Sequence, residues 1–173
     1  MTASPGGSPR WSRWHLPLDS AVPALVDTVL LDVVEPVVRE LRADGAITGW
    51  FFIRYWDPEP HLRLRFHGAP HRLRDEAWPA LQQDISARMA SGEIHTIRLD
   101  TYFQEVNRYG GPQAIATAER FFEADSDMSL ALLALDDHGI ADLRERAAVL
   151  ATDTLMRDFQ LDEGAREMLA AQL

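Results

Sequence analysis

Apolar residues recur along the chain with two periods, and the places where the period changes predict the elements. Arg10 to Leu18 alternates loosely, with Trp11, Arg13 and His15 against Ser12, Trp14 and Leu16, which predicts a short strand ending at Pro17. Ser20 is placed to cap the helix that follows. Val22, Leu25, Val26, Val29, Leu30, Val33, Val34, Val37 and Leu41 then fall on one helical face, with a kink or break expected at Pro36 and a stop at Asp44-Gly45. Thr48 to Trp56 is dense in aromatic and β-branched residues and predicts a buried strand. A turn is expected at Asp57-Pro58-Glu59-Pro60. From His61 to His67 the alternation is clean, with Leu62, Leu64 and Phe66 on one side and His61, Arg63, Arg65 and His67 on the other. Residues 71–91 read as an amphipathic helix with Leu73, Ala77, Leu81, Ile85 and Met89 inward and Gly92 at its end. Glu93 to Tyr102 reads as a fourth strand. After the loop signal Gly110-Gly111-Pro112, helices are expected at about 113–124, 126–135, 138–158 and 162–172, broken at Asp125-Ser126 and at Asp137-His138-Gly139.

The order strand, helix, strand, strand, helix, strand is that of the split-βαβ, ferredoxin-like arrangement. The expected fold is therefore α+β: a four-stranded antiparallel sheet with two helices on one face, followed by C-terminal helices. Residues 1–10, rich in Ser, Gly and Pro, are expected to be disordered. Residues 11–173 are expected to form a single α+β domain, with the sheet and its two helices in 11–102 and a helical part in 112–173. The hydrophobic side of each strand faces the two helices, so Arg63 and Arg65 are expected on the open face of the sheet.

Composition narrows the chemistry. The 173 residues are 46% hydrophobic and 25% charged, enough to bury a core. No window approaches the run of about 18 apolar residues that a membrane span needs. The first ten residues lack an apolar signal region, so a cytoplasmic location is expected. Cysteine is absent, which excludes disulfides, thiolate metal sites and a cysteine nucleophile. All 17 basic residues are arginine, so neither a lysine Schiff base nor a phosphate-loop lysine is available. The net charge of −10 argues against nucleic-acid or anionic-membrane partners. Residues 54–74 nevertheless carry about +3, leaving about −13 elsewhere, and contain His61, His67 and His71. A positive island on an acidic chain suits an anionic ligand of limited size, because an arginine fork matches a carboxylate.

Two segments concentrate that chemistry. In residues 50–68, WFFIRYWDPEPHLRLRFHG, Arg63 and Arg65 lie two apart on a strand and emerge on one face, with Arg54 and His61 close in sequence. A solvated face paired to acids such as Asp100 is the plain structural reading of two such arginines. In residues 99–111, LDTYFQEVNRYGG, Glu105 and Arg108 have the spacing of an ion pair. Glu105 there either orients the arginine or abstracts a proton beside the Arg63/Arg65 face. No histidine spacing marks a metal site, no glycine-rich phosphate loop is present, and neither metal nor cofactor is expected. AERFF at 118–122 reads as core.

FFIRYWDPEPHLRLRFHG and LDTYFQEVNRYGG, followed by AIATAERFFEADS, resemble the C-terminal, SpaB-type domain of lantibiotic dehydratases and of thiopeptide-type bacteriocin biosynthesis proteins, from about Trp14 to Leu135. The resemblance implies a lyase that eliminates glutamate from glutamylated Ser or Thr in a ribosomally made precursor peptide, leaving dehydroamino acids. It carries the catalytic positions onto Arg63, Arg65, Glu105 and Arg108. Arg54, His61 and Tyr109, close to them in sequence, are expected to bind substrate. Its partners would be the precursor peptide, a glutamyl-transfer dehydratase and, in a homodimer, a second copy. A branch of the same family implies a different activity, thiopeptide pyridine synthesis by formal [4+2] cycloaddition. A third alternative is a catalytically incomplete module that binds the peptide or docks on a dehydratase. This last is suggested because Asn107 stands where a charged residue is common and the family's later histidine has no counterpart here, His138 being the only histidine of the C-terminal part.

Overall fold

In a computed structural model of the chain, residues 10–17, 23–56, 60–136 and 142–171 are described. The expectations for residues 1–9, Ser20, Asp57 to Glu59 and the break at Asp137 to Gly139 fall outside them. Strands β1 (Arg10–Pro17), β2 (Gly49–Tyr55), β3 (His61–Gly68) and β4 (Arg98–Thr101) form one sheet in the order β2-β3-β1-β4, and every neighbouring pair is antiparallel. With one helix between β1 and β2 and another between β3 and β4, this is the ferredoxin-like α+β arrangement that the period changes predict. The chain divides into two compact units, Met1–Leu130 and Ala131–Leu173.

Helix α1 comprises Pro23–Val29, a π-helical turn Leu30–Val34 and Glu35–Ala43. Helix α2 comprises Pro70–Arg72, a π-helical turn Leu73–Ala77 and Trp78–Ala90. Pro36 does not break α1. The π-turn ends two residues before it, and Glu35 N–H bonds Leu30 O instead of the carbonyl four residues back. Trp78 N–H bonds Leu73 O in the same way just before Pro79. A proline cannot donate to the i−4 carbonyl, and in each helix one wide turn takes up the mismatch without ending the helix.

The core lies between these helices and one face of the sheet. Val29, Leu30, Val34, Leu81 and Ala77 are fully buried there, as are Leu62, Leu64 and Phe66 of β3. The expected fourth strand is shorter than its sequence suggests. Gly92 turns the chain at φ +80, and Glu93 N–H and Ile94 N–H still bond Arg88 O, so the backbone leaves the helix end late, makes an isolated bridge at Ile94 and runs as a strand only from Arg98.

Helix α3 is one continuous helix, Pro112–Asp136, where two were expected. The Ser126 hydroxyl donates to Phe122 O at 2.7 Å and accepts the Phe52 N–H at 3.1 Å. A mid-helix serine whose hydroxyl is satisfied this way need not end the helix. Ile115, Glu119, Ser126 and Leu130 form a buried row along α3. The Ser126 contact covers the outer edge of β2, which otherwise offers an unpaired donor. In the second unit, α4 (Leu143–Asp158) and α5 (Glu163–Ala170) start later than expected and are joined by Asp153, which accepts from both Arg157 and Arg166. No described helix is long and apolar enough to cross a membrane.

Candidate functional site

Strand parity decides which side chains can meet. Phe51, Ile53 and Tyr55 of β2 stand in register with Arg65, Arg63 and His61 of β3, so these six share the face away from α1 and α2. Arg54 stands opposite Leu62 and belongs to the other face. Its guanidinium pairs with Asp27 of α1 at 2.7 Å, which removes it from the predicted cluster.

Arg63 is half-buried and lies flat over the Tyr55 ring, 3.5 Å from its centroid. Its Nε–H donates to His61 Nε2 at 3.0 Å. The His61 ring is buried and stacks on Tyr55 at 5.3 Å and 9°. A nitrogen that accepts cannot carry a proton, so His61 is the neutral imidazole protonated on Nδ1. Aromatic stacking therefore holds the Arg63 fork in place, while both Nη groups meet no carboxylate among the described residues.

Arg65 differs from the expectation of an open face, being only 6% exposed. Its guanidinium lies 4.7 Å from the Tyr102 centroid and 5.1 Å from that of Phe51. The cover comes from residues 102–111 and the start of α3. Gln104 Nε2 donates to both oxygens of the buried Glu119 carboxylate, at 2.9 and 2.8 Å, and the Tyr102 hydroxyl bonds the same carboxylate. Burial first, then the charge and hydrogen bond of Glu119, push the Tyr102 phenol well above its ordinary range, so it stays a neutral donor. Glu119 thus belongs to the site's polar layer and not to a plain apolar core. The spacing of Ile115, Glu119, Phe122 and Ser126 on one helical face was the signal that could have shown this.

Glu105 and Arg108 meet at 3.1 Å, as their spacing predicts, and both are largely exposed. They sit in successive turns and not in a helix: Arg108 N–H and Tyr109 N–H bond Glu105 O, and Gly111 N–H bonds Val106 O. Gly110 at φ +82 and Gly111 at φ +103 occupy backbone conformations that other residues rarely adopt. Tyr109 packs edge-on against Phe122 at 5.3 Å, and Phe122 lies 5.3 Å from Phe51. One aromatic cluster therefore connects the turns bearing Glu105 and Arg108 to the ring beneath Arg65. Glu105 also acts on Tyr102 through its charge. The two predicted motifs are brought to one side of the sheet, with Arg65 beneath, Arg63 accessible and the Glu105–Arg108 pair on the surface. Among the described residues no three His, Asp or Glu side chains gather as a metal site.

Comparison with known proteins gives the same grouping. Residues 11–173 match the family described as lantibiotic biosynthesis dehydratase C-term. The subtilin biosynthesis protein SpaB of Bacillus subtilis is 31% identical over 114 residues, 64% of this chain and 11% of that protein. The crystal structure of the tRNA-dependent lantibiotic dehydratase MibB from Microbispora sp. 107891 superposes with a TM-score of 0.65 and 31% identity, over 79% of this chain and 13% of that one. The pyridine synthase TbtD from thiomuracin biosynthesis superposes with a TM-score of 0.57 at 17% identity, over 76% of this chain and 50% of that one, a likeness of fold alone. The chain spans about a tenth of the length of the curated relatives it matches. Sheet order, the HLRLR strand, the RYGG turns and a family match across nearly the whole length lead to one conclusion: this chain belongs to the lantibiotic biosynthesis dehydratase C-terminal family.

Proposed function

We propose that this chain acts as a lyase in the maturation of a ribosomally synthesised peptide, eliminating glutamate from glutamylated Ser or Thr. In that reaction a base removes the α-proton, the Cα–Cβ double bond forms, the Cβ–O bond breaks, and glutamate leaves as a carboxylate. Negative charge develops first beside the residue's carbonyl and finally on the leaving group, so fixed cations aimed at those positions lower the barrier. The observation that carries the proposal is Arg63. Its planar fork is held over Tyr55 and bonded to a neutral His61, and its outer nitrogens meet no carboxylate among the described residues. A half-buried cation so arranged is ready for a carboxylate. Arg65, between Phe51 and Tyr102, supplies a second positive charge beneath the same face.

The test is incubation of the purified chain with a Ser/Thr-glutamylated precursor peptide, followed by mass spectrometry. Loss of glutamate is expected, and Arg63→Gln should slow it at least about tenfold, the scale of removing one charge-assisted bond. An unchanged peptide mass, or an Arg63→Gln rate equal to wild type, would refute it. A second reading is favoured by the Glu105–Arg108 ion pair, which engages the carboxylate otherwise available as a base. On that reading the chain holds the peptide or docks on a dehydratase without turnover, and the same incubation would show binding with no change of mass.

A further inference from the structure

The sheet face that carries Arg63 has a second arginine with no role in the site so far. On β1, His15 stands in register with Arg63 of β3 on one side and Arg98 of β4 on the other. Residues directly opposite in antiparallel strands share a face, so Arg63 and Arg98 belong to one row of the sheet. Two strand spacings place their Cα atoms about 10 Å apart. The neighbouring row, Arg65, Arg13 and Asp100, contains an acid by register, whereas the Arg63 row contains none.

Among the described residues the charges of the two arginines are also unanswered. Arg39, Arg42, Arg54, Arg72, Arg74, Arg88, Arg108, Arg157 and Arg166 each hold a carboxylate within 3.1 Å. Arg63 and Arg98 hold none among the described residues. Arg98 is exposed on the edge strand, and Arg63 is half-buried. One cation is thus fixed by stacking and the other is free to swing toward it across a single intervening strand. That pairing matches a ligand with two carboxylates on a short flexible spacer better than it matches a single carboxylate.

We propose that Arg63 and Arg98 form a two-armed clamp for a dicarboxylate, which in the proposed reaction is the departing glutamate. Arg63 takes the carboxylate that leaves the peptide, and Arg98 takes the carboxylate at the far end of the same group. This assignment rests on the elimination reading for its natural ligand, but its geometry requires only a dicarboxylate.

The experiment is therefore a binding titration that needs no turnover. Glutarate and its monocarboxylate counterpart butyrate are titrated into the full chain, with the arginine Nε–H resonances followed by NMR. Wild type should bind glutarate at least about tenfold more tightly than butyrate. Arg98→Gln should abolish that preference while leaving butyrate binding unchanged, and Arg63→Gln should weaken both. Arg98 is exposed, so its replacement does not threaten the fold; Arg120→Gln, an exposed arginine of α3 outside the Arg63 row, should match wild type. Equal affinity for the two acids, or a glutarate preference that survives Arg98→Gln, would overturn the clamp. Failure of the elimination reading would appear separately, as dicarboxylate binding without loss of glutamate from the peptide.

Discussion

Tyr102 shows how much of the site's chemistry is fixed by a single hydroxyl. It bonds the buried Glu119 carboxylate and its ring lies over Arg65, so one side chain joins an anion, a cation and the aromatic cluster. Burial and the Glu119 charge raise its folded-state pKa above the ordinary value of 10.0. A pKa raised on folding contributes stability that is fully present below the unfolded value and is lost as pH climbs toward the folded one. Urea unfolding should therefore show a stability loss from this group only above about pH 10, the unfolded tyrosine range. Tyr102→Phe keeps the ring but strips Glu119 of a donor, and should cost about 1–2 kcal/mol at neutral pH. The variant should also lose part of the alkaline slope; an unaltered slope would mean that Tyr102 is already ionised or is not bonded to Glu119. Of this arrangement the sequence showed only the arginines. Alternation placed Arg63 and Arg65 on one face, and three-residue spacing paired Glu105 with Arg108. It could not show that Arg65 is roofed, because the roof comes from Tyr102 and Glu119, 37 and 54 positions further along the chain. Arg54 was misplaced for a related reason: a residue's face is settled by its cross-strand register, here Arg54 against Leu62, and not by nearness in sequence.

Three elements meet closely where β3 ends. A Cβ added at Gly68 would lie 2.6 Å from Ala46 O, 3.2 Å from a Leu73 methyl and 3.4 Å from Ile47 Cα. The glycine thus lets the end of β3 touch both the α1–β2 connection and the π-turn of α2. Gly68→Ala must push a backbone carbonyl aside, and it should destabilise the chain by roughly 1–3 kcal/mol, measured as a lower urea midpoint. A midpoint equal to wild type would show that the three elements can separate freely there. The order and type of the sheet elements were legible because each strand and helix keeps its own period over at least one full side of the core. Interruptions were legible only as residue types. Pro36 reads as a kink or break and Asp125-Ser126 as a helix end, yet a π-turn passes the first and a serine bonded to β2 carries α3 through the second. The first is a backbone adjustment within α1 and the second depends on a tertiary partner, which local signals do not contain. The end of α2 illustrates the same limit, since the Ile- and Thr-containing segment after Gly92 has strand composition but bonds back to Arg88 and becomes a continuous strand only at Arg98.

At the scale of the whole molecule, the two compact units differ in what holds them together. Met1–Leu130 contains the sheet, both π-bearing helices and nearly all of the fully buried side chains, including Trp50, Phe51 and Phe66. In Ala131–Leu173, α4 has no buried residue, and Val149, Leu150, Phe159 and Met168 are each more than 60% exposed. Asp153 of α4 joins α5 through Arg166 and bonds Arg157 within its own helix, and these two bonds hold the Asp153 carboxyl below its ordinary range despite the opposing effect of burial. Surface ion pairs contribute little against the entropy of ordering two short helices, and each helix alone is near the lower limit for independent stability. Local opening should therefore be much easier in this unit than in the sheet. Hydrogen-exchange mass spectrometry should find amides of residues 143–158 exchanging at least about tenfold faster, after correction for intrinsic rates, than those of β3 and α1. Lowering the pH makes the contrast specific. A depressed carboxyl pKa stabilises above its unfolded value, near 3.8, and that contribution disappears as Asp153 is protonated. Asp153→Asn should accordingly raise exchange in α4 and α5 at neutral pH and leave β3 unchanged. Equal protection in the two units, or a rise in β3 as large as that in α4, would show that they open as one cooperative body and that the ion network is not what orders the second.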